Sequence, residues 1–350
     1  MFKKTLIALS ALLALLVPAA ASAASNTGAV VFSKSSTVEG VAKGGLFAVK
    51  QGHLNQLTED PTDSEPNFSP DGRTIAFVRG GDIYSVRPDG SGQRQLTSGP
   101  EVDSLPKVAP NGRYVVFERR GALGGPSSLY TVGATGGGLR ALTSSGDDHD
   151  AAFSPDGKSI VFVRSTPGAE GGNDDVYSIR PTGSGLARLT KTAGIDEFAP
   201  RFFAGGVIYS RGESSEGPAA YADIYTMRRD GTRPKPQVAG VGSAYVEDVS
   251  PDGKMLIFRR DQGLWAKKIG RTKARKLSQL PDNSQTTSVF SSDGRRVAAF
   301  VAAEDEQQLV SINVETRRQS QLASGYDFSE GDTTVLGPVI DWQPVPQRHK

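Results

Sequence analysis

The chain has 350 residues, 37% of them hydrophobic and 22% charged, with a formal net charge of +2 and no cysteine. This composition excludes a disordered chain and leaves enough apolar material for a large core. Disulfides and cysteine catalysis are excluded, and the near-neutral balance gives no support to nucleic-acid binding.

The N-terminus reads Met1-Phe2-Lys3-Lys4, then an apolar run from Leu6 to Val17, then Pro18 and the small-residue site Ala21-Ser22-Ala23. This is the pattern of an export signal over residues 1–23, cleaved after Ala23. Its removal takes the formal charge to zero and leaves residues 24–350 as one domain, with no membrane span.

From Ala29 onward the chain repeats itself. Ala29-Val30-Val31-Phe32, Leu46-Phe47-Ala48-Val49 and Gln56-Leu57-Thr58 read as three short strands with none before them. The clearest full copy follows: Asp63 to Phe68, the turn Ser69-Pro70-Asp71-Gly72, Ile75-Ala76-Phe77-Val78, Asp82 to Val86, and the ending Gln95-Leu96-Thr97. Later turns at Pro110-Asn111-Gly112, Pro155-Asp156-Gly157, Ala204-Gly205-Gly206, Pro251-Asp252-Gly253 and Ser292-Asp293-Gly294 recur every 40–49 residues. That period holds about four short strands, the size of a β-propeller blade. Proline presets φ, Asp or Asn bonds to nearby backbone and glycine takes the positive φ, so the aspartates of these triplets are turn residues.

Near the other terminus, Gly337 to Pro344 repeats the text of Glu65 to Pro70 and supplies the strand missing before Ala29. The expected fold is all-β: a seven-bladed propeller of four-stranded antiparallel blades, closed by a blade split between residues 29–58 and 336–344. Closure removes exposed strand edges.

The texts Phe68-Ser69-Pro70-Asp71-Gly72 and Ile83-Tyr84 resemble those of the TolB-like, WD-repeat-like propellers of bacterial envelopes. The resemblance implies a periplasmic or secreted binding scaffold. TolB of the Tol-Pal system is similar to a small α/β domain followed by six blades, whereas seven blades and no such domain are expected here.

In a four-stranded blade, the connections between strands two and three share one face with those between blades. The long segments Ser33 to Gly45, Arg119 to Ser128, Ser165 to Asp175 and Arg211 to Ala222 all fall there, where binding loops are expected. Five positions before the recurring aromatic or valine of each first strand stand Asp63, Asp103, Asp148 and Glu197. Four carboxylates around a channel mouth either cap their own turns or share a cation or a basic group. Asp147, Asp148 and Asp150 form the richest acidic run; its oxygens suit calcium, yet no Asp-x-Asp-x-Asp-Gly loop is present and no cofactor is expected. On the opposite side, residues 254–276 hold nine basic residues and one acid, with Trp265 nearby as a stacking surface for anionic polymers or an acidic partner.

Catalytic motifs are missing from the sequence. The three histidines, His53, His149 and His349, are too scattered for a multi-histidine metal site, and there is neither a Gly-x-Ser-x-Gly elbow nor a phosphate loop. The expected function is a monomeric scaffold that binds an envelope or extracellular protein through the long-loop face. The second reading is a carbohydrate-active or lactonase-like enzyme using carboxylates at the channel mouth.

Overall fold

The computed structural model describes residues 28–38, 41–144, 146–166, 173–213, 222–240, 242–281, 285–302, 307–322 and 340–343. The export-signal pattern of residues 1–23 lies outside them. Twenty-eight strands form seven four-stranded antiparallel sheets, and no helix occurs among the described residues.

Blade 1 is the split one. Its order runs Asp341–Trp342, Val30–Val38, Val41–Lys50, His53–Gln56, so the innermost strand comes from the far end of the chain. Blades 2 to 7 follow in chain order, with innermost strands Ser64–Phe68, Val102–Val108, Asp147–Phe153, Ile195–Phe203, Ala244–Val249 and Gln285–Phe290. Each innermost strand packs on the next, and Asp341–Trp342 touches those of blades 7 and 2, which closes the ring.

Second strands read as continuous apolar runs because both of their faces are covered. Ile75–Phe77, Val115–Phe117, Ile160–Val163 and Leu256–Phe258 are buried throughout, each sheet being sandwiched between two neighbours. The core is therefore distributed among the interfaces: Val31, Leu46 and Ala48 of blade 1 meet Phe68, Ile75 and Phe77 of blade 2, and similar clusters repeat around the ring. Burial of one such side chain stabilises by about 1.5–3 kcal/mol.

The recurring turn and ending both have hydrogen-bond reasons. Ser69 Oγ donates to Asp71 Oδ1 at 2.6 Å while the Gly72 amide, at a φ of 66°, donates to the Ser69 carbonyl. The same serine–aspartate pair recurs at Ser154/Asp156, Ser250/Asp252 and Ser291/Asp293. The threonine of each Leu-Thr ending accepts a third-strand amide: Thr58 from Leu46, Thr97 from Ile83, Thr143 from Leu129 and Thr190 from Val176. These threonines tie the outer end of the blade to its middle.

One expectation changes. Ser33 to Gly45 is largely not a loop, because Val30–Val38 and Val41–Lys50 stay paired out to Val38↔Val41, extending the blade as a two-stranded arm. Thr166↔Asn173 and Gly212↔Ala222 extend blades 4 and 5 in the same way.

The closure is bonded on both sides. Val30 pairs with Trp342 and Val31 with Asp341, the Gln343 amide donates to Ala29 O at 2.7 Å, and Trp342 Nε1 donates to Gly28 O at 3.2 Å. Toward blade 2, Gln343 Nε2 donates to Gly72 O and Asp341 Oδ2 accepts the Phe68 amide at 2.7 Å. Truncation before residue 337 removes all of these and opens two edges. Such a chain is expected to lose its cooperative thermal transition or aggregate; an unchanged melt would refute the clasp.

Candidate functional site

Of the four carboxylates expected at the channel mouth, Asp63, Asp103 and Asp148 are each paired with an arginine of their own blade. Asp63 accepts Arg79 Nε at 2.6 Å and Nη2 at 2.8 Å, Asp103 accepts Arg119 at the same two distances, and Asp148 accepts Arg164 at 2.5 and 2.8 Å. All three carboxylates are buried, and each arginine lies over the Phe and Tyr of its second and third strands, 5.0–5.6 Å from the ring centroids. The guanidinium fork matches a carboxylate edge to edge, which makes these the strong form of ion pair. Each carboxylate is thus held by its own arginine and not by turn amides. Their repeat is a cross-strand staple, and Glu247–Arg259 at 2.6 Å, with Arg259 over Tyr245, extends it to blade 6.

A β-bulge sits beside each staple in blades 2 to 5. Glu65, Leu105, Asp150 and Ala199 occupy equivalent positions with φ of 50–60°, and the strand register shifts there. Proline follows three of them, at Pro66, Pro106 and Pro200, which an innermost edge strand tolerates because it loses no ladder donor.

Glu197 breaks the pattern. One methylene longer than Asp, it sits 3.7 Å from Arg211 Nε instead of forming the fork, and both carboxylate oxygens are buried, beside Thr190 and Thr192. Burial pushes its carboxyl up to about 7, aided by the nearby Asp175 charge.

The acidic run of blade 4 does not converge. Successive residues of a strand face opposite sides. Asp147 accepts Ser127 N and Oγ at 2.7 and 2.6 Å, Asp148 holds Arg164, and Asp150 accepts the Ala199 amide at 3.0 Å with Arg201 Nη1 at 3.5 Å. Among the described residues no group of three or more His, Asp or Glu is arranged to hold a metal ion. The basic stretch lines a cavity of about 1000 Å³ between blades 6 and 7, with Lys267, Lys268, Arg271, Lys273 and Arg275 facing Arg295 and Glu315. Trp265 is already covered, by Arg260 at 4.0 Å and Lys276 at 5.8 Å, and is no free stacking surface.

Sequence reasoning missed the inner ring of the channel. The residue just before the recurring aromatic or valine is Asp341, Asn67, Lys107, Ala152, Arg201, Asp248 and Val289 in blades 1 to 7, and all seven are half-buried. Where this residue is an acceptor it latches the next blade: Asp341 takes the Phe68 amide, Asn67 the Val108 amide at 2.8 Å, and Asp248 the Phe290 amide at 2.9 Å. The signal was available one position before the aromatic, but the more regular acids four residues earlier drew the reading.

Two tests follow from the staples. Asp148→Ala leaves Arg164 buried and unpaired, and is expected to cost about 3 kcal/mol, with Arg164→Leu restoring part of that loss in the double variant; denaturant melts read both. For Glu197, the native state holds a proton near pH 7 that the unfolded chain releases near 4.5. Its stabilising contribution is present below pH 4.5 and is lost as pH rises through 7, on the order of 2–3 kcal/mol. Glu197→Gln is expected to flatten stability between pH 5 and 8, and an unchanged pH profile would contradict the assignment.

Comparison with known proteins rests on this fold. Residues 20–171 match the model of the TolB β-propeller domain family. No curated protein matches the chain. Among solved structures, TolB from Acinetobacter baumannii is 16% identical, over 89% of this chain and 82% of that one, with a TM-score of 0.55. An oligogalacturonate lyase in complex with manganese is 11% identical over 83% and 95%, with a TM-score of 0.63. A puromycin-hydrolyzing peptidase of Mycobacterium tuberculosis is 13% identical over 84% of this chain and 53% of its own, with a TM-score of 0.63. At such identities the likeness is one of fold. With seven four-stranded blades closed in a ring the chain is a β-propeller, and residues 20–171 of it match the TolB β-propeller domain family.

Proposed function

We propose that this propeller is an exported, periplasmic or secreted scaffold that binds another protein through its long-arm face. The observation that carries the reading is where apolar surface emerges. Val41 is 58% exposed at the tip of the blade 1 arm, Leu123 is fully exposed at the tip of the blade 3 connection, and Val102 is 49% exposed beside Gly81 of blade 2. All three belong to one sector of one face of a rigid ring, the arrangement of a docking surface, while Leu139 and Leu186 are exposed singly on the opposite face. Asp63, Asp103 and Asp148 of the same face are spent on internal arginines. Among the described residues no helix is long and apolar enough to cross a membrane.

An enzyme at the channel mouth is the competing reading, and the manganese-bound lyase shares the fold alone. Asp63, Asp103 and Asp148 would have to give up their arginines to take a cation. Calcium added to the metal-stripped protein is therefore expected to leave its melting temperature unchanged, whereas a bound ion at a hundredfold excess over Kd would add about 2.7 kcal/mol. A calcium-dependent rise that disappears in the Asp63→Ala, Asp148→Ala double variant would overturn this.

The docking reading is tested by site-specific photo-crosslinking in the native host. Crosslinkers at positions 41 and 123 are expected to trap the same discrete protein. One at position 186, where Leu186 is exposed at a turn on the opposite face, is expected to trap none. Equal labelling from both faces, or turnover of a sugar or lactone by the purified protein, would replace the scaffold with the alternative.

A further inference from the structure

On the face opposite the arms, the turn between the third and fourth strands of one blade stands against the turns of the next. The seam between blades 3 and 4 shows what the repeat needs there. Its cavity of about 810 Å³ is lined by Gly133, Gly137 and Gly138, with Arg140, Lys158 and Arg180 as the charged residues. Arg140 Nη2 donates across the seam to Pro181 O at 2.7 Å, as Arg94 Nη1 does to Thr135 O at 2.9 Å one seam earlier. A fourth-strand arginine is therefore a latch between blades.

The seam between blades 6 and 7 keeps the latch and adds charge around it. Arg275 Nη1 donates to Glu315 O at 2.5 Å, the equivalent bond. The turn leading to it reads Lys268-Ile269-Gly270-Arg271-Thr272-Lys273-Ala274-Arg275, against Gly133-Ala134-Thr135-Gly136-Gly137-Gly138-Leu139-Arg140 in blade 3. Both turns have the same length and the same closing bond, Arg271 N to Lys268 O and Gly136 N to Gly133 O. Lys268, Arg271 and Lys273 thus stand where blade 3 has Gly133, Gly136 and Gly138. They can do so because the left-handed backbone falls on Gly270 alone, with a φ of 80°, whereas blade 3 places Gly136, Gly137 and Gly138 there in succession.

These cations have no duty in the fold. Lys268, Arg271, Lys273 and, from blade 7, Arg295 are exposed and have neither an ion pair nor a side-chain hydrogen bond among the described residues. All four line one cavity of about 1000 Å³ together with Arg275, and Glu315 is the single acid in its lining. Lys267 lines it too, but its ammonium is held by Gln237 O of blade 5. Asp293, two residues before Arg295, is held by Ser291 Oγ and the Arg295 amide. A second cavity of about 460 Å³ shares Lys273, Arg275 and Glu315 with the first and adds Arg317, so the two form one groove.

Unpartnered like charges repel each other, and blade 3 closes the same turn without them. What they fit is an anion. Their spread over two blades and two joined cavities suits one with many charges along its length, since a single small anion meets only part of the set. No aromatic ring lines either cavity, so nothing there stacks on a base or a sugar. An acidic peptide would need a separate side chain for each cation, whereas a chain of phosphates carries charge on every unit and accepts from lysine and arginine alike.

We propose that the groove between blades 6 and 7 binds a linear polyphosphate, held by Lys268, Arg271, Lys273 and Arg295. The groove lies on the turn face, away from the arms, so this site and the docking face can fail independently.

Calorimetric titration of the purified protein with orthophosphate, tripolyphosphate, long-chain polyphosphate and poly-L-glutamate tests it. Saturable binding is expected for tripolyphosphate and more tightly for the long chain, with orthophosphate at least tenfold weaker than either. Arg271→Gln, Lys273→Gln and Arg295→Gln should each weaken polyphosphate binding about threefold to tenfold, the range of one charged hydrogen bond. None should lower the melting temperature, because these side chains are exposed and unpartnered. Arg113→Gln removes the same charge from the equivalent first turn of blade 3, as Asn111-Gly112-Arg113 matches Asp293-Gly294-Arg295, and should leave binding unchanged. Absence of saturable binding, orthophosphate binding as tightly as the chains, or undiminished affinity in the groove variants would overturn the proposal. So would an equal loss in Arg113→Gln, which would mean attraction by overall charge. Tighter binding of poly-L-glutamate than of polyphosphate would replace it with an acidic protein partner.

Discussion

Everything in this protein depends on ring closure. No blade has a core of its own: its second strand is apolar on both faces and is covered only when a neighbour stands on each side. An open ring would leave two such faces wet, and the clasp that completes blade 1 is the pairing of Asp341–Trp342 with Val30–Val31. Gln343 and Asp341 reach past their own blade to blade 2, so the clasp bonds the termini to each other and to the next sheet. Sheet closure does here what disulfides do in many exported domains.

Closure also sets the electrostatics. Bringing seven inner strands around one axis concentrates polar side chains where water is scarce, and the structure resolves this in two layers. Near one face, the Asp–Arg forks of blades 2, 3 and 4 neutralise each acid within its sheet. Deeper in the channel, acceptors on one blade take a backbone amide from the next, which both satisfies the carboxylate and fixes blade spacing. Glu197 and Lys107 stand out because each departs from its layer's rule, and burial depresses the charged form of both.

The proposed function rests on the same division. A ring assembled for stability presents its irregular parts at the ends of strands: the two-stranded arms of blades 1, 4 and 5 and the exposed Leu123 project from one face, while tight Ser-Pro-Asp-Gly turns occupy the other. Under the proposed docking reading, a rigid scaffold that keeps such arms in a fixed relative geometry lowers the ordering cost of binding a partner. The basic cavity between blades 6 and 7 lies away from those arms and gives the molecule a second, positively charged region.

The period of the Pro-Asp-Gly turns, the missing strand before Ala29 and its counterpart after Gly337 were enough to determine seven blades and a split closure, because turn chemistry and strand alternation are local. The role of the triplet aspartates was legible for the same reason: Ser69 and Asp71 are two residues apart and bond to each other. Asp63 was different. Its partner Arg79 is sixteen residues away across a bulged strand pair, and nothing in the spacing says whether an acid at that position faces water, a turn or a guanidinium. Asp147, Asp148 and Asp150 read as one acidic cluster, yet strand alternation and a left-handed residue send them to three different partners. Bonds between blades were least visible of all, since Asn67 and Asp341 are 274 positions apart and meet only because seven blades close around an axis. Local periodicity determined the fold; which charges face each other was decided by tertiary closure, since electrostatic pairing depends on distance in space and not along the chain.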